Sequence, residues 1–375
     1  IKTEKIRFFR PPNERDLAAL EEAERRLQQH WPEWEKQGLI PTEQIPEGYN
    51  TKQPLSFGMV RWCDMFNPRQ LLGHLILIEE LNRIKPIIIN ELGFERGRAV
   101  VTYLQFMIDK GLDYNSKQTR WIPQRAIVSG TFGRHDYSPK WTYGEIIFSG
   151  SNSCAAWGLS QIIDAYSEIC ELVKPVKEKY GSNYQHISIL NGTAANMALN
   201  DKSVDLICID PPYYNNVQYA EMSDYFYVWQ RRTLNDLYPD IYWRKLTNKQ
   251  DEAVANPIRH GSIKDAERVY ERLMSEIFIE CHRILKDDGL MTIMFTHKTQ
   301  EAWEALTRSL IENGWTITSS FPVESEFAKS MRINGYAAAT SSIFLSCRKR
   351  PDRSTSPAVW SGFGGTGVVQ KVREA

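Results

Sequence analysis

The apolar run Val204–Ile209 leads directly into Asp210, Pro211, Pro212 and Tyr213. A buried strand that meets an acid and two prolines must leave its sheet there, because neither proline has an N–H to give to a ladder. The Asp210 carboxylate and the neighbouring carbonyls are then presented at the carboxyl end of a strand, the edge at which open α/β sheets bind ligands. A carboxylate, a fixed carbonyl and the aromatic face of Tyr213 together suit a planar ring bearing an exocyclic amine: the oxygens accept its hydrogens and the ring stacks.

The flanking pattern predicts more strands and helices. Residues 187–190 (Ile-Ser-Ile-Leu) read as a strand closed by a tight turn at Asn191, Gly192, Thr193 and Ala194. Between 265 and 285, Val269, Leu273, Ile277, Cys281 and Ile284 recur at helical spacing, and Lys-Asp-Asp-Gly at 286–289 is expected to end that helix. A strand over 290–295 comes next, then a helix carrying Trp303, Leu306, Leu310 and Ile311 that closes at Gly314, then strands near 315–321 and 342–347. Alternating strands and amphipathic helices predict an α/β fold with a mainly parallel sheet covered on both faces.

Upstream, 13–30 reads as an amphipathic helix with Leu17, Leu20, Ala23 and Leu27 on its apolar edge, stopped by Pro32. An extended connector over 40–55 and helices over 68–83 and 96–110 are expected next. Trp62, Trp121 and Trp141 are either packing residues or stacking surfaces for bases. Near the motif, Tyr219, Tyr225, Phe226, Tyr227 and Trp229 form an aromatic helix face expected to be buried against the sheet. Glu221 and Asp224 are read as solvated, with orientation of a target pocket as the alternative.

Asp-Pro-Pro-Tyr, extended by Tyr-Asn-Asn-Val-Gln-Tyr-Ala-Glu-Met-Ser-Asp-Tyr-Phe-Tyr-Val-Trp through residue 229, resembles the signature of DNA amino-methyltransferases, specifically the branch of DUF1156-type adenine-specific DNA methylases. Phe-Asn-Pro-Arg-Gln-Leu-Leu at 66–72, Asp-Tyr-Asn-Ser at 113–116, Thr-Phe-Gly-Arg at 131–134 and the stretch 290–298 fit the same branch, so the resemblance spans about residues 55–350. It implies a Rossmann-like methyltransferase sheet with S-adenosylmethionine as cofactor and DNA, with its target adenine flipped out, as partner. Catalysis would fall to Asp210, Pro211, Pro212 and Tyr213, and substrate contact to Tyr214, Asn215 and His297. Cytosine N4 is open to the same chemistry. A non-catalytic fragment that binds nucleic acid or a partner is the competing class. Relatives of this kind often sit in restriction or phage-defence loci, which would add partner subunits.

By the same resemblance, Asn191, Gly192 and Thr193 would lie beside the cofactor's adenine. A glycine-rich turn of the type Phe-x-Gly-x-Gly should hold its methionine end. Phe148-Ser-Gly-Ser-Asn152 succeeds an expected strand at 144–147 but has asparagine at the last position, leaving Phe148 and Gly150 as candidates. Phe363-Gly-Gly-Thr-Gly367 matches the letters within a polar stretch. The expectation is that the true turn lies outside this chain. The domains then read as 1–55, a helix and connector; 56–143, an inserted helical module; 144–350, the methyltransferase core; and 351–375, a polar linker.

Lys plus Arg equals Asp plus Glu at 46 each, so no global basic field draws in DNA and phosphate contacts must be local. Arg231-Arg232, Arg244-Lys245 with Lys249, and Arg259-His260 are the candidate patches, each otherwise a solvated face. The six cysteines are scattered without a Cys-x-x-Cys pair and read as reduced, mostly buried thiols. With seven dispersed histidines they offer no metal site. No apolar run approaches the roughly 20 residues of a membrane helix, and a cytoplasmic location is expected.

Overall fold

Side-chain caps decide where the first helices begin. In the computed structural model, which describes residues 10–133, 135–150, 153–181, 187–297, 299–324 and 341–350, α1 (Glu14–Lys36) starts at Asn13. The Asn13 side chain accepts from the Asp16 N–H at 3.1 Å and the Asp16 carboxylate accepts from the Asn13 N–H at 2.9 Å, a reciprocal cap. Arg134, Asn152, Lys298 and residues 351–375, which include the glycine-rich match at 363–367, lie outside the described residues.

The chain divides into two units, residues 1–189 with 217–252 and residues 190–216 with 253–375. The first is helical. After α1 come α2 (Lys52–Ser56), a 3₁₀ turn at Trp62–Met65, α3 (Pro68–Leu92) and α4 (Phe94–Tyr114). A hairpin of β1 (Arg120–Ile122) and β2 (Ile127–Ser129) precedes α5 (Cys154–Tyr180), α6 (Tyr219–Leu234) and α7 (Pro239–Tyr242). Pro32 does not stop α1. It forfeits one backbone bond, but the turn beyond it is anchored by buried Trp34, whose indole N–H donates to Glu79 at 2.8 Å. The strand expected at 144–147 does not form. Side chains take its backbone groups instead: Asn115 Oδ1 accepts the Ile146 N–H at 2.7 Å and the Thr119 hydroxyl donates to the Gly144 carbonyl at 2.5 Å.

The aromatic face of α6 is buried by helices rather than by a sheet. Tyr225, Val228 and Trp229 share one core with Leu75 and Ile78 of α3 and Val101 and Ile108 of α4, while Tyr219 is exposed. The apolar spacing of α6 was readable, but periodicity says only that a face is buried, not what buries it.

The second unit contains β3 (Val204–Ile209), α8 (Pro257–His260), α9 (Ile263–Ile284), β4 (Leu285–Phe295), α10 (Gln300–Glu312), β5 (Trp315–Glu324) and β6 (Ser341–Lys349). Its sheet has the order β3-β4-β6-β5. Only β3 and β4 pair in parallel, and β6 is antiparallel to both β4 and β5. The sheet is therefore mixed, not mainly parallel. Helix α10 returns the chain so that β5 runs in the direction of β4, and β6 enters between them in the opposite sense. The apolar positions of β5 and β6 fit either direction of pairing, which is why the sequence pattern did not separate the two.

Two further expectations change. β4 begins at Leu285, directly after α9, so the Lys-Asp-Asp-Gly stretch belongs to the strand rather than to a helix stop. Residues 187–190 are not a strand: Ile187 and Ile189 are 74% and 93% exposed, and among the described residues no ladder takes their backbone. β3 is an edge strand among the described residues, and on it Leu206 and Cys208 are exposed. Covering of both sheet faces is thus not seen at β3. The core of this unit lies under α9 and α10, where Tyr270, Met274, Phe278, Leu306 and Leu310 meet Ile293, Phe295 and Cys347 of the sheet.

Candidate active site

Strand β3 runs parallel to β4 up to the pair Ile209 and Ile293, and the chain then leaves the sheet at Asp210. The Asp210 side chain is exposed, and Pro211, Pro212 and Tyr213 are half-buried. Among the described residues no hydrogen bond is made to the Asp210 carboxylate or the Pro211 carbonyl. The Pro212 carbonyl, by contrast, accepts from the Tyr214 N–H at 3.0 Å and from the Tyr270 hydroxyl of α9 at 3.1 Å. The turn closes with the Asn216 N–H donating to the Tyr213 carbonyl at 3.0 Å.

Aromatic rings wall this edge. Tyr213 meets Phe295 edge-on, with centroids 5.3 Å apart, and Phe295 meets Trp303 at 4.9 Å. Tyr214 is buried between Tyr270 at 5.2 Å and His297 at 5.7 Å, both nearly perpendicular to it. Burial raises the phenol pKa of Tyr214, helped by Glu267, Glu271 and Glu301, and burial likewise raises that of Tyr270. His297 sits just past the end of β4, where its Nδ1 accepts from the Thr299 N–H at 3.2 Å and its carbonyl accepts from the Trp303 indole at 3.1 Å. The structure thus brings Tyr213, Tyr214 and His297 to one carboxyl-terminal strand edge with Asp210, and leaves Asn215 exposed beside them.

Asn191, Gly192 and Thr193 form an exposed loop of the same unit, closed by a bridge between Thr193 and Asn196. Helix α9 tethers the segment just beyond this loop: Glu280 accepts the Met197 N–H at 2.6 Å, and Arg283 donates to the carbonyls of Met197 and Leu199. A Cβ placed on Gly192 would meet nothing within 4 Å, so the loop is open on that side. Phe148 and Gly150 belong to the helical unit. The Phe148 ring packs against His74 at 4.9 Å and over Gly73, and Gly150 is exposed at φ +93°.

The second half of the extended motif does other work. Glu221 and Asp224 are buried, not solvated. Glu221 accepts the backbone N–H groups of Tyr49 and Asn50 at 3.0 and 2.7 Å. Asp224 accepts from the Thr247 N–H and hydroxyl at 2.8 and 2.6 Å and pairs with Lys249 at 2.6 Å. Arg232 is buried against Glu43 at 2.8 Å. Of the basic patches, Arg232 and Lys249 are therefore internal ion pairs. Lys245 is exposed, and Arg244 stacks on Trp243 at 4.6 Å.

Tyr270 was not singled out from the sequence. It falls on the apolar stripe of α9, where a hydroxyl needs an acceptor once buried, and that requirement was the available signal. Among the described residues no group of three or more His, Cys, Asp or Glu side chains is placed to hold a metal, and no helix is long and apolar enough to cross a membrane. Trp62 is buried, whereas Trp121 and Trp141 are exposed.

A family model described as DNA methylase, of the N6/N4 type, matches residues 204–360. That span opens on β3 and the Asp210 turn and supports a DNA methyltransferase of the amino type, acting on adenine N6 or cytosine N4. No curated protein matches the chain.

Proposed function

We propose that the protein methylates the exocyclic amine of a base in DNA, adenine N6 in the first place, with S-adenosylmethionine as the donor. The observation that carries this reading is the exposed Asp210 carboxylate beside a Pro211 carbonyl that accepts no hydrogen bond among the described residues, at the carboxyl end of a parallel-paired strand and within the DNA methylase match. The lone pair of an aminopurine is delocalised into its ring and is a poor nucleophile. Two acceptors on its hydrogens draw the nitrogen toward tetrahedral geometry and stabilise the positive charge that develops there. Alignment supplies most of the remaining barrier reduction. A duplex base is reached only by flipping it out, and Tyr213 offers one stacking surface, with Asn215 and His297 as contacts to base or phosphate.

S-adenosylmethionine, when bound, supplies the electrophilic methyl group. The open, polar loop of Asn191, Gly192 and Thr193 fits the nucleoside end of such a molecule. Asp210→Ala tests the reading: transfer of labelled methyl groups to adenine-containing DNA should fall by about 100-fold or more, with the thermal midpoint unchanged. Undiminished transfer would remove the acceptor role. Calorimetry on the complete gene product separates the non-catalytic alternative, since a protein that binds DNA but no S-adenosylmethionine is not a methylase. Sequencing of the product DNA distinguishes adenine from cytosine.

A further inference from the structure

Directly after the Asp210–Tyr213 turn, Tyr214 adopts φ +55°, a left-handed conformation that residues other than glycine rarely take. Such a conformation persists only where its surroundings over-determine it, and here they do. The Tyr214 N–H donates to the Pro212 carbonyl at 3.0 Å, and the Tyr214 carbonyl accepts from the Ala255 N–H at 2.9 Å. Its ring is held between those of Tyr270 and His297. Tyr270 then reaches past that ring to donate its own hydroxyl to Pro212 at 3.1 Å.

We propose that Tyr270 is a positioning residue for the acceptor pair, its hydroxyl pinning the Pro212 carbonyl and thereby aiming the Pro211 carbonyl and the Asp210 carboxylate outward. The inference rests on the reading of Asp210 and Pro211 as amine acceptors. Its physical basis is the stiffness of the turn. Peptide planes are rigid and each proline fixes its own φ. Only the ψ angles of Pro211 and Pro212 remain soft, and one anchored carbonyl removes much of that freedom. Tyr270 is fully buried on α9 beside Met274 and Phe278, so the anchor belongs to a core helix rather than to a loop. Phenylalanine fills the same space and lacks only the donor.

The test compares the full chain with Tyr270→Phe by hydrogen–deuterium exchange. Peptides covering 210–216 should exchange about tenfold faster, the effect of one lost hydrogen bond, while peptides from the carboxyl half of α9 and from β4 keep their protection. Leu273→Ala serves as the second variant, because it loosens the same helix without touching the hydroxyl. Equal acceleration of 210–216 in that variant, or none in Tyr270→Phe, overturns the proposal. In methyl transfer, Tyr270→Phe should lower kcat by about 10- to 100-fold with KM for DNA and for S-adenosylmethionine within about twofold; an unchanged kcat also overturns it. If the complete gene product transfers no methyl group, the amine-acceptor reading fails, and the exchange data still decide whether Tyr270 fixes the turn.

Discussion

Asp109 of α4 shows how burial turns a side chain into a pH-dependent element. Its carboxylate accepts from the amides of Gln105 at 2.8 Å and Gln230 at 2.6 Å, and among the described residues no cation pairs with either oxygen. Burial outweighs those two bonds and pushes its pKa up to about 7. The unfolded value lies near 3.9, so the fold favours the protonated form. The stabilisation is complete below pH about 4 and is lost as pH rises through about 7. Asp109 also lines cavities of ≈ 350 and ≈ 400 Å³, and water there screens part of the effect. The urea midpoint should therefore fall between pH 5 and 8 by an amount equivalent to about 1–3 kcal/mol, and Asp109→Asn should flatten that fall. A profile identical in the two proteins would show that Asp109 ionises freely in the fold. Glu221 accepts the Tyr49 N–H on one oxygen and the Asn50 N–H on the other. Glu221→Gln replaces one acceptor with a donor facing a donor and should cost about 2 kcal/mol in urea unfolding. A loss below a few tenths would mean that the turn at Tyr49 and Asn50 finds other partners.

Helices and strands differ in how plainly the sequence announces them. The strand leading to Asp210 was visible because two prolines cannot extend a ladder, and α9 and α10 were visible because their apolar residues keep helical spacing over several turns. What the spacing could not convey was the partner. Tyr225 and Trp229 read correctly as buried and met α3 and α4 instead of a sheet. Residues 187–190 had the composition of a strand, but composition supplies no neighbour for a backbone row. Pro32 looked like a stop because the local rule does not include Glu79, distant in sequence and bonded to Trp34. At the site, Asp210 and its prolines were legible, whereas the Tyr270 anchor was not, since it joins residues 58 apart. Helix α9 offers the sharpest energetic contrast. Phe278 is fully buried in its core and Ile263 is exposed at its first turn. Phe278→Ala should cost about 3–5 kcal/mol through lost contacts and the cavity left behind, and Ile263→Ala within about 0.5 kcal/mol. Comparable losses in the two variants, measured by chemical denaturation, would contradict the assignment of the buried face.

Charge over the full chain constrains how DNA can be held. With 46 cationic and 46 anionic side chains there is no net attraction at long range. Several cations are also withdrawn into the fold: Arg232 faces Glu43, Lys249 faces Asp224 and Lys85 faces Asp236. Phosphate contacts then fall to exposed groups such as Lys245 and to Arg244, which is stacked on Trp243. Each phosphate neutralised contributes about −0.9 to the slope of log affinity against log salt on duplex DNA. A protein with no net charge should show a slope no steeper than about −4 between roughly 50 and 200 mM salt, read by fluorescence anisotropy on a labelled duplex. Lys245→Ala should make that slope shallower by about one where the lysine touches a phosphate. Lys249→Ala should leave the slope alone and lower stability instead, because it strands the buried Asp224 carboxylate without its cation. A slope near −8 would require about nine phosphate contacts on a concentrated basic face. Equal slopes for the unaltered chain and both lysine variants, with stability also equal, would show that neither lysine has the role its surroundings assign to it.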